Sequence, residues 1–409
     1  MRHFLLLMIV FSIMSCTNEK NDAEVTVDDK AAAIHRKVLT LDSHTDTPLA
    51  LVRSDFDPGI RHEAAGGGGR VDFPRMQEGG LDAVFFAAFI GQGPRDNASN
   101  KAAKEKVLKI LKHIHRAVAE YPQMAGIALT SADAYQMEKT GKRAIYMGIE
   151  NGFAIGNDLS LIQTYYDLGV RYITLCHTRN NDICDSSTDP SGPEHQGVSS
   201  FGKDVIREMN RLGIMVDVSH ISDAAFFQVL QQSATPVIAS HSCARALCDH
   251  PRNLSDAMLK ALAENNGVIQ VCLMSDYLKT IQQHPEREAA LKNIKATYGS
   301  YSSMTPEEIR QVRKLRREID RKYPKMLATV SDLVDHIDHI VKVAGIDHVG
   351  IGSDFDGGGR IEGCMDVSEM GNITRELVKR GYTEEAIRKI WAGNLMRVFK
   401  DVEQFAASK

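Results

Sequence analysis

Six short apolar runs in this chain each stop at a residue that binds metal ions or moves protons. VLTLDS ends at His44, with Asp46 two positions on; AIYMGI ends at Glu150, RYITLC at His177, IMVDVS at His220, PVIAS at His241 and HVGIGS at Asp354. Each run is β-branched and apolar enough to predict a buried strand. A side chain just past such a strand sits at the strand's carboxyl end. In a parallel α/β barrel those ends converge on one face, where active sites form. One pocket lined by His, Asp and Glu has the composition of a metal-dependent hydrolase site.

Two further apolar runs, LDAVFFAAF at 81–89 and GVIQVCL at 267–273, bring the set to about eight strands, the number a TIM-type (β/α)8 barrel requires. Helical periodicity lies between them, at 100–120, 159–168, 202–212 and 222–231, with Ser222 placed as an N-cap. The alternation of strand and helix argues for a parallel sheet. A doubly wound open sheet is the alternative, and polar strand ends spread along the whole chain favour the closed barrel. Two segments break the rhythm. Residues 53–70, containing Gly66-Gly67-Gly68-Gly69, form a loop or lid after the first strand; no Lys-Ser/Thr follows to make it a phosphate cradle. The charged stretch 280–325, with Arg310, Arg313, Lys314, Arg316 and Arg317 among its cations, is expected to be an inserted helical hairpin with a solvated basic face.

The N-terminus is a processing signal. Arg2 precedes an apolar stretch, Phe4 to Ile13, too short to span a bilayer, and Ile-Met-Ser-Cys follows, resembling a bacterial lipobox with lipid on Cys16. Residues 1–16 are therefore expected to be a lipoprotein signal peptide, 17–29 a polar tether and 30–409 a single domain, exported to the cell envelope and anchored to a membrane. A net charge of −4 shows no nucleic-acid footprint, and 43% hydrophobic residues suffice for a large core. No cysteine pair has CxxC spacing, so neither a zinc ribbon nor a thioredoxin motif is supported; Cys176 and Cys272, inside apolar runs, are expected as buried thiols.

His44 and Asp46, two apart in an extended segment, point to the same side and suit one metal ion. Glu150, directly after a buried strand, is either a partner for a barrel arginine or a metal ligand, and a carboxylate is able to bridge two ions. His220 and His241 close consecutive βα units. His177 and Asp354 have three open roles: further ligands, a structural pair, or an oxyanion donor and a proton carrier. Arg252, in His-Pro-Arg-Asn, is suited to a two-pronged grip on a carboxylate or to a helix entry at the surface.

The motifs LDSHTDTP, VDFPRMQEGGLDAVFF, GIENGFAI, LGVRYITLCHTRNND, GIMVDVSHISD, PVIASHSCARALCDHPRNL, HVGIGSDFDG and WAGNLMRVF run in order over nearly the whole chain. Together they resemble the membrane (renal-type) dipeptidases, peptidase family M19, related to the amidohydrolase barrels. The resemblance implies two zinc ions per chain, with His44 and Asp46 on one, His220 and His241 on the other and Glu150 bridging. It implies that His177 stabilises the tetrahedral intermediate, that Arg252 binds the C-terminal carboxylate of a dipeptide, that Asp354 shuttles the proton and that Tyr277 contacts substrate. It further implies a homodimer and tolerance of C-terminal D-residues. Asn151 departs from the Glu-Gly-Gly common in the family. Hydrolysis of another carboxylate-bearing amide or lactam is the neighbouring possibility. An inactive surface binding protein is the alternative from another class, and the complete ligand set argues against it.

Overall fold

The computed structural model describes residues 26–52, 56–63, 69–299 and 304–409. Cys16 and Gly66 to Gly68 lie outside the described residues. Among the described residues, nine parallel strands form one sheet: β1 Leu41–Thr45, β2 Ala83–Phe89, β3 Ala125–Ile127, β4 Arg143–Glu150, β5 Val170–Thr174, β6 Met215–Asp217, β7 Ile238–Ser242, β8 Val268–Val271 and β9 Val349–Ile351. Eight of them follow one path, β1-β2-β4-β5-β6-β7-β8-β9. The ends of that path meet just beyond the strands, where Asp354 N donates to His44 O (3.0 Å) and Asp46 N to Phe355 O (2.8 Å). The result is the expected nearly closed (β/α)8 barrel, not the open sheet.

The three-residue β3 escaped the sequence reading because Ala-Gly-Ile carries little strand signal. It pairs with the start of β4, at Arg143 to Ile145, before β5 takes over from Met147 onward. The anticipated helices are present at Asn97–Glu120, Ser160–Asp167, Ser200–Leu212 and Asp223–Gln232, and Ser222 Oγ accepts from Ala225 N as their predicted N-cap. The first helix, Val27–Lys37, begins inside the stretch expected as tether. Thr26 caps it, Asp28 and Asp29 match the positive end of its dipole, and Asp28 pairs with Arg375 at 2.5 Å.

Period-two alternation divides the strands into two faces. Val84, Phe86, Ile145, Met147, Ile173 and Val216 face the helices. Leu41, Ala83, Phe85, Ala144, Tyr146, Tyr172, Met215, Ile238 and Val268 fill the lumen. Phe85 stacks on Tyr146 at 4.8 Å and contacts Tyr172 at 5.2 Å, and Phe399 of the last helix, Asn394–Ala407, closes the floor against Tyr146. Each such buried aromatic stabilises the fold by about 1.5–3 kcal/mol.

The 280–325 insertion contains two helices, Pro285–Tyr298 and Pro306–Lys322, as expected. Arg287 holds them together, pairing with Asp320 (2.7 Å) and donating to Tyr323 O (2.7 Å). Lys279–Asp332 and Lys325–Asp276 tie its base to the barrel. The six cysteines among the described residues are free and buried, Cys176 and Cys272 included. Among the described residues no helix is long and apolar enough to cross a membrane.

Candidate active site

The strand ends bring the predicted residues into one cluster. His44 and Asp46 leave β1, Glu150 ends β4, and His241 lies in β7. His177, His220 and Asp354 each follow three residues after the last residue of β5, β6 and β9. Glu150 is the hub. Its Oε2 faces His44 Nε2 at 3.6 Å, while its Oε1 faces Nε2 of His220 (3.0 Å), His241 (3.5 Å) and His177 (3.5 Å). Three overlapping ligand groups result: His44, Glu150 and His241; Glu150, His177 and His220; and His44, Asp46 and Asp354.

Backbone strain accompanies the site. His220 has φ of 74°, Asp354 58° and Asn151 88°, a region non-glycine residues seldom adopt and one that clusters at functional sites. Asn151 manages there because its side chain replaces missing contacts: Oδ1 accepts from Phe153 N and Nδ2 donates to Ile90 O. Gly357 is required for another reason. A Cβ at this position would lie 2.1 Å from Asp354 Oδ1 and 2.5 Å from Asp46 Oδ2.

The charges suit a cation. Burial disfavours ionising Glu150, but His177 and His44 outweigh it and hold the carboxyl well below its usual range. Burial and Glu150 hold Asp46 well above its usual value. Burial, helped by Glu150 and opposed by His44 and Arg252, pushes Asp354 up to about 7. His44 resists burial because Glu150, Asp46 and Asp354 surround it, and it is pushed up to about 10. Burial and neighbouring cationic groups hold His220 and His241 well below 6.5, in the neutral form that binds metal. His44 Nε2 and Asp46 Oδ1 are buried with no hydrogen-bond partner. Orphaned donor atoms beside three buried carboxylates are costly in isolation and fit a site completed by divalent cations.

Arg252 is buried at the rim. Its Nη2 donates to His241 O (3.0 Å), its guanidinium lies 5.5 Å from the Tyr277 ring centroid, and its Nε has no partner. Tyr277, in the short helix Ser275–Leu278 after β8, also packs at a tilt against His250, ring centroids 4.5 Å apart. His177 packs against Phe89 at 4.8 Å. The supporting residues went unnoticed in the sequence. Tyr172 OH is 2.8 Å from His44 Nδ1, Ser240 Oγ is 2.9 Å from His241 Nδ1, and Asp217 accepts from Ser240. Asp42 accepts from the backbone N–H groups of His44 and Ser353. Acidic residues inside apolar runs, Asp42 in LTLDS and Asp217 in MVDVS, were the available signal; Tyr172, a buried strand aromatic, offered none.

The sequence model of the membrane dipeptidases, peptidase family M19, matches residues 28–409. Dipeptidase tcpJ of Claviceps purpurea is 32% identical over 346 residues, 83% of this chain and 71% of that protein. The probable dipeptidase PvdM from Pseudomonas aeruginosa superposes with a TM-score of 0.80 at 31% identity, covering 93% of this chain and 99% of that one. A Rhodobacter sphaeroides metallopeptidase, solved with a phosphinate mimic of the dipeptide L-Ala-D-Ala, shares the fold with a TM-score of 0.71 at 23% identity, covering 89% of this chain and 99% of that one. With six of the barrel strands delivering His, Asp and Glu to one buried cluster and the family's sequence model matching residues 28–409, this chain belongs to the membrane dipeptidase family, peptidase family M19.

Proposed function

We propose that this chain is a binuclear zinc dipeptidase hydrolysing the peptide bond of free dipeptides. The observation that carries the proposal is the division of Glu150: one carboxylate oxygen faces His44 and the other faces His220 and His241. That division is what a bridging ligand requires. His44 and Asp46 would hold one ion, His220 and His241 the other, with Glu150 between them. Bound as a pair, zinc ions supply Lewis acidity and lower the pKa of a shared water toward about 7.

The chain's own residues do the rest. Arg252 grips the free carboxylate of the substrate with its unpaired donors, so cleavage is measured from the C-terminal end and internal bonds of long chains are out of reach. Tyr277 walls this subsite. His177 directs its ring N–H at the carbonyl oxygen as negative charge develops there. Asp354, with a pKa near neutrality, takes the proton of the attacking water and passes it to the departing amine. Because Arg252 recognises the carboxylate and not the neighbouring side chain, dipeptides with a C-terminal D-residue fall within the proposed substrate class.

The Ser15-Cys16 pair after an apolar stretch supports an exported lipoprotein anchored through Cys16 at the cell envelope. The family resemblance supports a homodimer. The decisive experiment is hydrolysis of an L,L and L,D dipeptide panel by purified protein, with chelator and with zinc restored. Zinc-dependent cleavage lost in Glu150→Gln is expected. Full activity in chelator would overturn the metal assignment, and cleavage of lactams or N-acyl amino acids alone would overturn the substrate.

A further inference from the structure

We infer that Asp217 is a positioning residue that sets the tautomer of His241 through the hydroxyl of Ser240. Asp217, at the end of β6, is fully buried and touches none of the proposed substrate or metal positions. Its Oδ1 accepts from the backbone N–H groups of Ser219 (3.0 Å) and Ser240 (2.9 Å). Its Oδ2 accepts from Ser240 Oγ (2.6 Å) and Thr174 Oγ1 (2.5 Å). Four donors fill its acceptor sites, which leaves no place for a proton of its own.

The direction of the next hydrogen bond follows. A serine hydroxyl has one proton, and that of Ser240 goes to Asp217. The 2.9 Å contact between Ser240 Oγ and His241 Nδ1 then requires Nδ1 to donate. His241 therefore carries its proton on Nδ1 and presents a bare lone pair on Nε2, the atom that faces Glu150 and His220. Reversing the chain at Asp217 would free Ser240 to donate to Nδ1 and move the ring proton to Nε2, where it blocks a cation. His44 has no equivalent lock: its Nδ1 meets Tyr172 OH, which is able to donate or accept. His220 Nδ1 has no partner. Of the three histidines proposed as ligands, only His241 has its tautomer dictated by a carboxylate, a device known to tune metal sites.

The inference rests on the metal-site proposal, but its first test does not. Nitrogen-15 NMR of the ring of His241 in the metal-free chain is expected to show the Nδ1–H tautomer in the native protein. The Nε2–H form is expected to appear in Asp217→Asn, whose amide donates where the carboxylate accepted. Zinc affinity, measured by competition with a chelating dye, is expected to fall about 10- to 100-fold in Asp217→Asn and in Ser240→Ala and to stay near native in Ser240→Thr, which keeps the hydroxyl. The Ser240 variants carry the test if Asp217→Asn does not fold. An Nε2–H tautomer in the native protein, or unchanged zinc affinity in a folded Ser240→Ala, would overturn the inference. No zinc binding by the native protein with the Nδ1–H tautomer in place would instead overturn the metal site and leave the relay standing.

Discussion

His220 Nε2 lies 2.9 Å from His241 Nε2, and Glu150 Oε1 lies 3.0 Å from the first and 3.5 Å from the second. The two rings come from consecutive βα units, and burial holds both well below their ordinary pKa. Two neutral imidazoles aimed at each other and at one carboxylate oxygen form a convergent donor set. Zinc binding to this set is expected to stabilise the fold by about 2.7 kcal/mol when free zinc is 100 times Kd. Thermal melts with and without zinc will show a rise in Tm of several degrees, largely absent in Glu150→Gln.

Asp354 is the residue proposed to carry the proton. Asp354→Asn keeps the shape of the side chain and removes the proton acceptor. It is expected to lower kcat by about 10²- to 10⁴-fold while KM and bound zinc stay near native. Steady-state kinetics with metal analysis of the same preparation will separate this from loss of the ions.

Removing Arg252 is expected to raise KM. Arg252→Ala should lower kcat/KM by about 100-fold through lost contacts to the substrate carboxylate. Amidating the dipeptide's C-terminus should cost the native enzyme a similar factor and the variant almost nothing. A double cycle of enzyme and substrate changes measures this coupling directly.

Gly357 lies against two carboxylates. In Gly357→Ala the new methyl must displace Asp354, Asp46 or both, since the contacts would otherwise be 2.1 and 2.5 Å. A displacement of about 1 Å is enough to lower turnover by about 10²-fold. Kinetics and zinc titration will show both effects in a protein whose circular dichroism is unchanged.

His336 gives a pH dependence outside the metal cluster. Its Nδ1 accepts from Ala244 N (3.0 Å) and its Nε2 donates to Leu278 O (2.8 Å), so it is neutral in the folded state. Burial lowers its pKa below 6.5. The unfolded chain therefore takes up this proton more readily, and the contribution is full above about pH 6.5 and lost as pH falls below it. Denaturant melts at pH 7.5 and 5 are expected to show a larger acid-induced loss for the native chain than for His336→Gln. The variant should be about 1–3 kcal/mol less stable at pH 7.5.

The sequence by itself determined a parallel α/β sheet, favoured its closure into a barrel, and named the residues at its strand ends. Runs of apolar residues ending at His44, Glu150, His177, His220, His241 and Asp354 required a parallel sheet whose carboxyl ends hold chemistry, because strand period and burial are local properties. It also carried the helical insertion and the Ser222 cap. Tertiary structure alone decided the rest. Glu150 divides its oxygens between opposite sets of histidines because β4 lies between β1 on one side and β5 to β7 on the other, a relationship no spacing encodes. Tyr172 meets His44 only because Gly148 on the adjacent strand leaves room for its ring; a Cβ there would lie 2.2 Å from it. The proton on His241 is dictated from Asp217 and Ser240 on neighbouring strands. Hydrogen-bond direction and charge coupling act through space over a few ångströms, and only barrel closure brings these residues within that range.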